Sequence, residues 1–306
     1  MKIKLTIIFL IITIPILTSG QTDIQSSMHM FNRTTYNPAV TGASRYVNVY
    51  GHWRYQWQGF KGAPRTMYFS ANSYFKEINS GLGLVAINDK IGFERNMMFK
   101  LSYAYHVYVS QDAYISLGIS GGVLNKNINW DKKQITEPDP NLPTGQENKL
   151  TADFDFGIEY NMERFTLGLS VTHLNRTAHK STYSNMGHHF YGYVKYKFVL
   201  GVDFDLVPAL FVQNSKKSTH MEGNVLLYYR NRAWIGASYR VDDKFYSESV
   251  VGIAGIDLMN ALRISYSFDY NIGQIGKYSN NTHEIMLGIR FNRPHKRYSK
   301  SPRFFE

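Results

Sequence analysis

Few residues in this chain have the types and spacing that chemistry requires. No cysteine occurs in its 306 residues, which removes thiol nucleophiles, zinc–cysteine sites and redox pairs. The sequence contains no G-x-S-x-G elbow, H-E-x-x-H helix or Walker loop. Ten histidines are the remaining candidate ligands. His188 and His189 adjoin, but neighbours on a strand face opposite sides and cannot close on one ion without a bend. No Ser/His/Asp grouping stands out from scatter. The expectation is a chain without a catalytic site, a metal or a cofactor.

The elements that carry these side chains read as strands. In the segment 262–270, Leu262, Ile264, Tyr266, Phe268 and Tyr270 alternate with Arg263, Ser265, Ser267 and Asp269. In 152–160, Phe154, Phe156 and Ile158 oppose Asp153, Asp155 and Glu159. Successive strand side chains face opposite sides of a sheet, so each segment has one apolar and one polar face. A charged face that recurs along the chain faces either bulk water in a soluble exported sheet or the lumen of a membrane barrel.

The N-terminus favours export. Met1–Lys4 is basic, residues 5–17 are apolar, and Thr18-Ser-Gly20 supplies small residues before Gln21, the pattern of a cleaved signal peptide ending at Gly20. No cysteine follows it, so no lipoprotein anchor is expected. Aromatics make up 15% of the chain, with 23 Tyr and 24 Gly, and no later stretch approaches a transmembrane helix. The formal net charge of +11 falls to +9 once Lys2 and Lys4 leave with the signal, and an exported barrel has no use for nucleic acid.

Alternating runs between turn signals predict fourteen strands, at 45–57, 64–75, 80–89, 96–110, 113–124, 151–161, 164–172, 188–198, 202–212, 219–230, 233–242, 245–257, 260–271 and 281–291. Every second connection is tight, and the long ones, at 125–150, 173–187, 213–218 and 272–280, all fall on the other parity. Short periplasmic turns alternating with longer extracellular loops are the pattern of an outer membrane β-barrel. Pro208 falls inside the ninth strand, where its missing N–H predicts a bulge. Trp53 and Trp57 are expected in the aromatic girdle, with Arg54 and Gln56 facing the lumen. The predicted organisation is a signal at 1–20, a pre-barrel periplasmic or lumenal segment at 21–43, a barrel at 44–291 and a basic periplasmic tail at 292–306. That tail carries Arg293, Lys296, Arg297, Lys300 and Arg303 against Glu306 alone.

Several short motifs resemble the PorP/SprF family of outer membrane proteins, associated with the type IX secretion system and gliding machinery of Bacteroidetes. They begin with Asn37-Pro38-Ala39 and Gly42, followed by Arg54-Tyr-Gln56-Trp57-Gln-Gly59 and Gly62-Ala63-Pro64. Gly81-Leu-Gly83, Tyr103-Ala-Tyr105, Asp139-Pro140 and Tyr239-Arg240 follow, and Tyr266-Ser-Phe-Asp269 with His283-Glu284-Ile285 complete the set. The resemblance implies a barrel without enzymatic activity, in the outer membrane of a Gram-negative, Bacteroidetes-like bacterium, needed for secretion or surface attachment of particular substrates. Its implied partners are outer membrane lipid, an adhesin-type secreted protein with a C-terminal sorting domain, and periplasmic components of the secretion or gliding machinery. By strand parity, residues 58–63 lie on the extracellular side. The rim of Arg54, Gln56, Trp57, Gly59, Gly62, Ala63 and Pro64 is therefore the expected docking surface. The alternative function is a porin or solute-transport barrel with a charged lumen.

Overall fold

The computed structural model describes residues 24–44, 46–132, 144–175, 187–215, 218–259, 261–272, 276 and 278–292. The expected signal, Asp139, Pro140 and the tail beyond Asn292 lie outside the described residues.

Alternating side chains give strands β1 (Tyr46–Tyr55), β2 (Arg65–Phe75), β3 (Ser80–Ile91), β4 (Glu94–Tyr108), β5 (Ala113–Asn129), β6 (Gln146–Met162), β7 (Phe165–Thr172) and β8 (His189–Tyr196). They continue with β9 (Phe198–Leu200), β10 (Phe204–Asn214), β11 (Thr219–Tyr229), β12 (Ala233–Asp242), β13 (Ser247–Leu258), β14 (Leu262–Asn271) and β15 (Thr282–Asn292). Each pairs antiparallel with its neighbours, and β15 pairs β1 from Tyr46–Asn292 to Tyr55–His283, closing the sheet. β8 and β9 both pair with β10 and are two parts of one stave, so the barrel has fourteen.

The break between β8 and β9 is where the chain accommodates Pro208. Ala209 lies opposite Lys195 and Leu206 opposite Phe198, so the register is the same on both sides of the gap. The expected bulge is therefore absent. The ladder instead loses its pairing opposite a residue with no N–H to give. On its other side the stave stays bonded: the Lys197 N–H donates to the Arg164 carbonyl at 2.8 Å, continuing the β7–β8 register. The register does shift at Arg240/Val241, between β12 and β13.

The faces follow the alternation. Ile264, Phe154 and Phe156 are exposed on the outside, as lipid contact requires, whereas Ser265, Ser267, Asp269, Asp153, Asp155 and Glu159 are buried inside. β5 and β6 run beyond their expected ends, staying paired to Asn129–Gln146. Their outermost outward-facing residues, Asn125, Asn127, Asn129, Gln146 and Asn148, are polar, because above the hydrocarbon the outer side no longer meets lipid while main-chain pairing continues. β1 is shorter than expected: Trp57 has left it at a φ of 51°, so its ring does not belong to the outer girdle. The long loops cluster at one end of the barrel, which by the rule for such barrels is extracellular, and the short turns at the other.

Residues 24–44 fill the lumen. Three apolar side chains of this segment meet apolar patches on the inner wall: Ile24 against Tyr68, Val85, Ile87, Met98 and Leu124; Phe31 against Trp234 and its neighbours; and Tyr36 against Tyr191, Tyr193 and Phe211. Nearer the turn end, the segment lies on wall glycines. A Cβ on Gly118 would sit 2.2 Å from the Ala39 nitrogen, and one on Gly157 would sit 2.0 Å from Asn37 Oδ1. Only a residue without a side chain admits the segment so close, its backbone at Gly118 and the Asn37 side chain at Gly157.

Candidate functional site

The inner wall carries charges that a membrane barrel tolerates only if they are hydrated or paired. Here ion pairs hold many of them, partly through the lumenal segment. Arg54 on β1 donates to Asp269 on β14 at 2.9 Å and to Glu284 on β15 at 3.0 Å. The same carboxylates hold the segment: Ser26 Oγ donates to Glu284 at 2.5 Å, the Ser27 N–H to Glu284 at 2.8 Å, and Ser27 Oγ to Asp269 at 2.6 Å. Arg240 on β12 grips Glu222 on β11 at 2.6 and 2.9 Å, and Glu222 also meets His29 at 3.2 Å. His52 joins Glu284 at 3.3 Å and Asn32 at 3.2 Å.

Two further centres lie on the other side of the lumen. Arg33 of the lumenal segment pairs with Glu159 on β6, which also accepts from the Tyr193 hydroxyl and from Asn161 at 2.7 Å. Lys100 on β4 lies 2.7 Å from both Asp153 and Asp155, and His173 lies 2.8 Å from Asp153. The ligand atoms of Asp153, Asp155 and His173 lie within 4.8 Å of one another, a spacing that could hold a cation. The Lys100 ammonium already sits between these two carboxylates, so the grouping reads as an ion-pair centre. His189 is buried behind it, while His188 Nδ1 meets the His173 carbonyl at 3.0 Å, so the adjacent histidines do not act as a pair.

The residues of the expected motifs divide between these centres and the seat of the segment. Asn37 Oδ1 accepts from the Ala39 N–H at 2.9 Å and caps a short turn, Pro38–Val40, while its Nδ2 donates to Tyr193 at 3.0 Å. Gly42, at a φ of 75°, lies against Gly81. Asp269 and Glu284 bind Arg54. His283 is different, since it faces outward and meets the Tyr266 hydroxyl at 2.6 Å on the outer surface.

The expected docking residues fall into two groups. Arg54 is buried in the ion network, where it donates to Glu284, Asp269 and Ser27. Gln56, Trp57, Gly59, Gly62, Ala63 and Pro64 belong to the loop between β1 and β2, which neighbouring hairpins hold. Gln58 and the 280–281 pair exchange hydrogen bonds at 2.8 and 2.6 Å, the Trp57 N–H donates to Thr282 at 3.1 Å, and the Gly92 N–H donates to the Gly62 carbonyl at 2.9 Å. Gly59 and Gly62 have φ of 89° and 81°, the left-handed conformation in which glycine bears no penalty. Trp57, Gln56 and Pro64 border a vestibule of about 900 Å³ that opens at the loop end, with Ile24 and Gln25 of the lumenal segment also in its lining. Sequence reasoning did not identify Glu222, Lys100, His29, His52, Ser26 or Ser27 as members of these centres. The available signal was charge on the inward parity of the strands.

A closed fourteen-stave barrel with a lipid-facing exterior and a lumen filled by its own N-terminal segment is an outer membrane β-barrel. The sequence profile described as "Type IX secretion system membrane protein PorP/SprF" matches residues 18–289. The chain belongs to the PorP/SprF family. Among solved structures it is similar to the CymD monoaromatic hydrocarbon channel, at a TM-score of 0.51 and 11% identity, over 90% of this chain and 96% of that one. It is also similar to the Acinetobacter baumannii outer membrane protein Omp33, at a TM-score of 0.49 and 12% identity, over 83% of this chain and all of that one. Likeness at such identity speaks to the fold alone. Comparison with curated proteins returns no match.

Proposed function

We propose that this protein is a sealed, non-enzymatic docking barrel. In this reading it supports type IX secretion by receiving an adhesin-type secreted protein, through its C-terminal sorting domain, at the extracellular loop end. The observation that carries the proposal is the occupied lumen. A solute pathway needs a continuous wet route, whereas residues 24–44 are bound to the wall by ion pairs, apolar contacts and a backbone-on-glycine seat. What remains open is the vestibule and its rim, whose loop 56–64 is braced from both sides. A braced loop gives a partner a surface of fixed shape, which reduces the ordering cost of binding. In the same reading, residues 1–20 are a cleaved export signal and the basic tail 292–306 meets an acidic periplasmic component of the machinery.

The test is paired. Folded barrel in the outer membrane is quantified, and then the surface protein that co-purifies with it, for the wild type and for a variant with residues 58–64 scrambled. Selective loss of the partner is expected. Undiminished partner recovery beside a normally folded barrel would remove the rim from the docking role.

A further inference from the structure

The outer face of β2, β3 and β4 carries a row of cations that strand register alone brings together. Arg65 lies directly opposite Lys90, and Lys90 directly opposite Arg95. All three are exposed and point away from the lumen. Directly opposed side chains on adjacent strands stand about 5 Å apart at Cβ, and like charges in that position destabilise a sheet. Arg230, exposed at the turn end, does meet a carboxylate, Asp203, at 2.7 Å. Among the described residues, none of these three forms an ion pair. Arg95 donates to the neutral Asn88 at 2.7 Å, and Arg65 lies over the Tyr55 ring at 6.0 Å.

Their level on the barrel indicates what would neutralise them. The next outward row toward the turns is Met67, Asn88 and Met97, and the one after that Phe69, Ala86 and Phe99, the start of the lipid-facing band. The cations therefore sit one row above the apolar surface, at the loop end, where the headgroups of the outer leaflet lie. Lys61 from the β1–β2 loop adds a fourth cation. With Arg65, Lys90, Tyr55, Phe60 and Phe93 it borders an open depression of about 620 Å³ whose lining contains no carboxylate.

We propose that this depression binds the phosphorylated headgroup of an outer-leaflet glycolipid, with Arg65, Lys90 and Lys61 on its phosphates, Arg95 adding positive charge from the adjoining strand, and the aromatic rings against its sugars and upper acyl chains. Arginine matches phosphate with two parallel N–H donors, and lysine adds a point charge. The like-charge row is then a binding site that is incomplete without lipid.

The experiment is native mass spectrometry of the full chain in detergent with bisphosphorylated lipid A, its dephosphorylated form, or inorganic phosphate as competitor. The wild type is expected to retain the phosphorylated lipid. The triple variant Arg65→Gln, Lys90→Gln, Arg95→Gln should retain it at least about tenfold less. A paired variant, Arg230→Gln with Arg232→Gln at the turn end, should match the wild type. Equal retention of dephosphorylated lipid, or by the triple variant, overturns the site. Loss of the lipid to millimolar phosphate overturns the lipid as its occupant. Melting of the single variant Lys90→Gln guards against a folding artefact. In lipid-free detergent it should melt above the wild type because repulsion is relieved, and with lipid A below it. Shifts of the same sign in both conditions would refute the proposal.

Discussion

The seat of the lumenal segment on wall glycines makes a prediction that can be worked from geometry. In Gly118→Val the new Cβ would lie 2.2 Å from the Ala39 nitrogen and 2.3 Å from the Pro38 carbonyl carbon, and in Gly157→Val it would lie 2.0 Å from Asn37 Oδ1. Ordinary carbon contacts begin at about 3.5 Å, so each site requires a displacement of more than an ångström. At Gly118 the obstacle is backbone, which no rotamer change relieves. Overpacking of this kind costs about 1–3 kcal/mol per site. A cost of that size shifts a seated-to-unseated equilibrium by about 5- to 150-fold, and more when the two substitutions are combined. The wall strands keep their pairing, since the added side chains point into the lumen rather than along the ladder. The double variant should therefore assemble normally and conduct ions in planar bilayers, whereas the wild type should show no steady open level. Cysteine chemistry gives a second readout in a chain that has none of its own. Ala39→Cys should be protected from a membrane-impermeant reagent in the wild-type background and labelled in the double variant. A wild type that conducts like a porin, or a double variant that stays silent with Ala39→Cys still protected, would refute the reasoning and return the porin reading to first place.

Other outcomes follow from the same contacts. Ile264→Arg places a charge on the lipid face and should cost the barrel about 2–4 kcal/mol if the site lies near the midplane, read from urea unfolding in lipid vesicles. Ser267→Arg should also be poorly tolerated, because the lumen at that position is occupied rather than wet. Folding yields equal to wild type would contradict the burial of Ser267. Arg54→Met leaves Asp269 and Glu284 without their shared cation and should destabilise by about 3–5 kcal/mol. Adding Asp269→Asn and Glu284→Gln should recover part of that loss, and a triple variant no better than the single would count against a charge-based cost. Lys100→Ala removes the ammonium from Asp153, Asp155 and His173 and should create divalent-cation binding, measured by zinc titration, that the wild type lacks.

What the sequence determined by itself is the pattern that repeats every two residues. The faces of the strands at 152–160 and 262–270, the parity of the loops and the number of staves were all legible, because lipid outside and polar groups inside impose one rule on every strand. The family was legible from short motifs such as Asn37-Pro38-Ala39 and His283-Glu284. Strand ends were less so: β5 and β6 extend where apolar alternation has stopped, and Trp57 leaves β1 where its pattern still ran on. The contents of the lumen were decided by the tertiary structure alone. Arg54 meets Asp269 across 215 residues of chain, and Asn37 reaches Tyr193 across 156. Likewise, Arg65, Lys90 and Arg95 form a row only because two registers align them. Alternation fixes which way a side chain points, but not which residue it faces. Facing partners depend on register, on barrel closure and on which segment fills the lumen, and those are properties of the whole sheet.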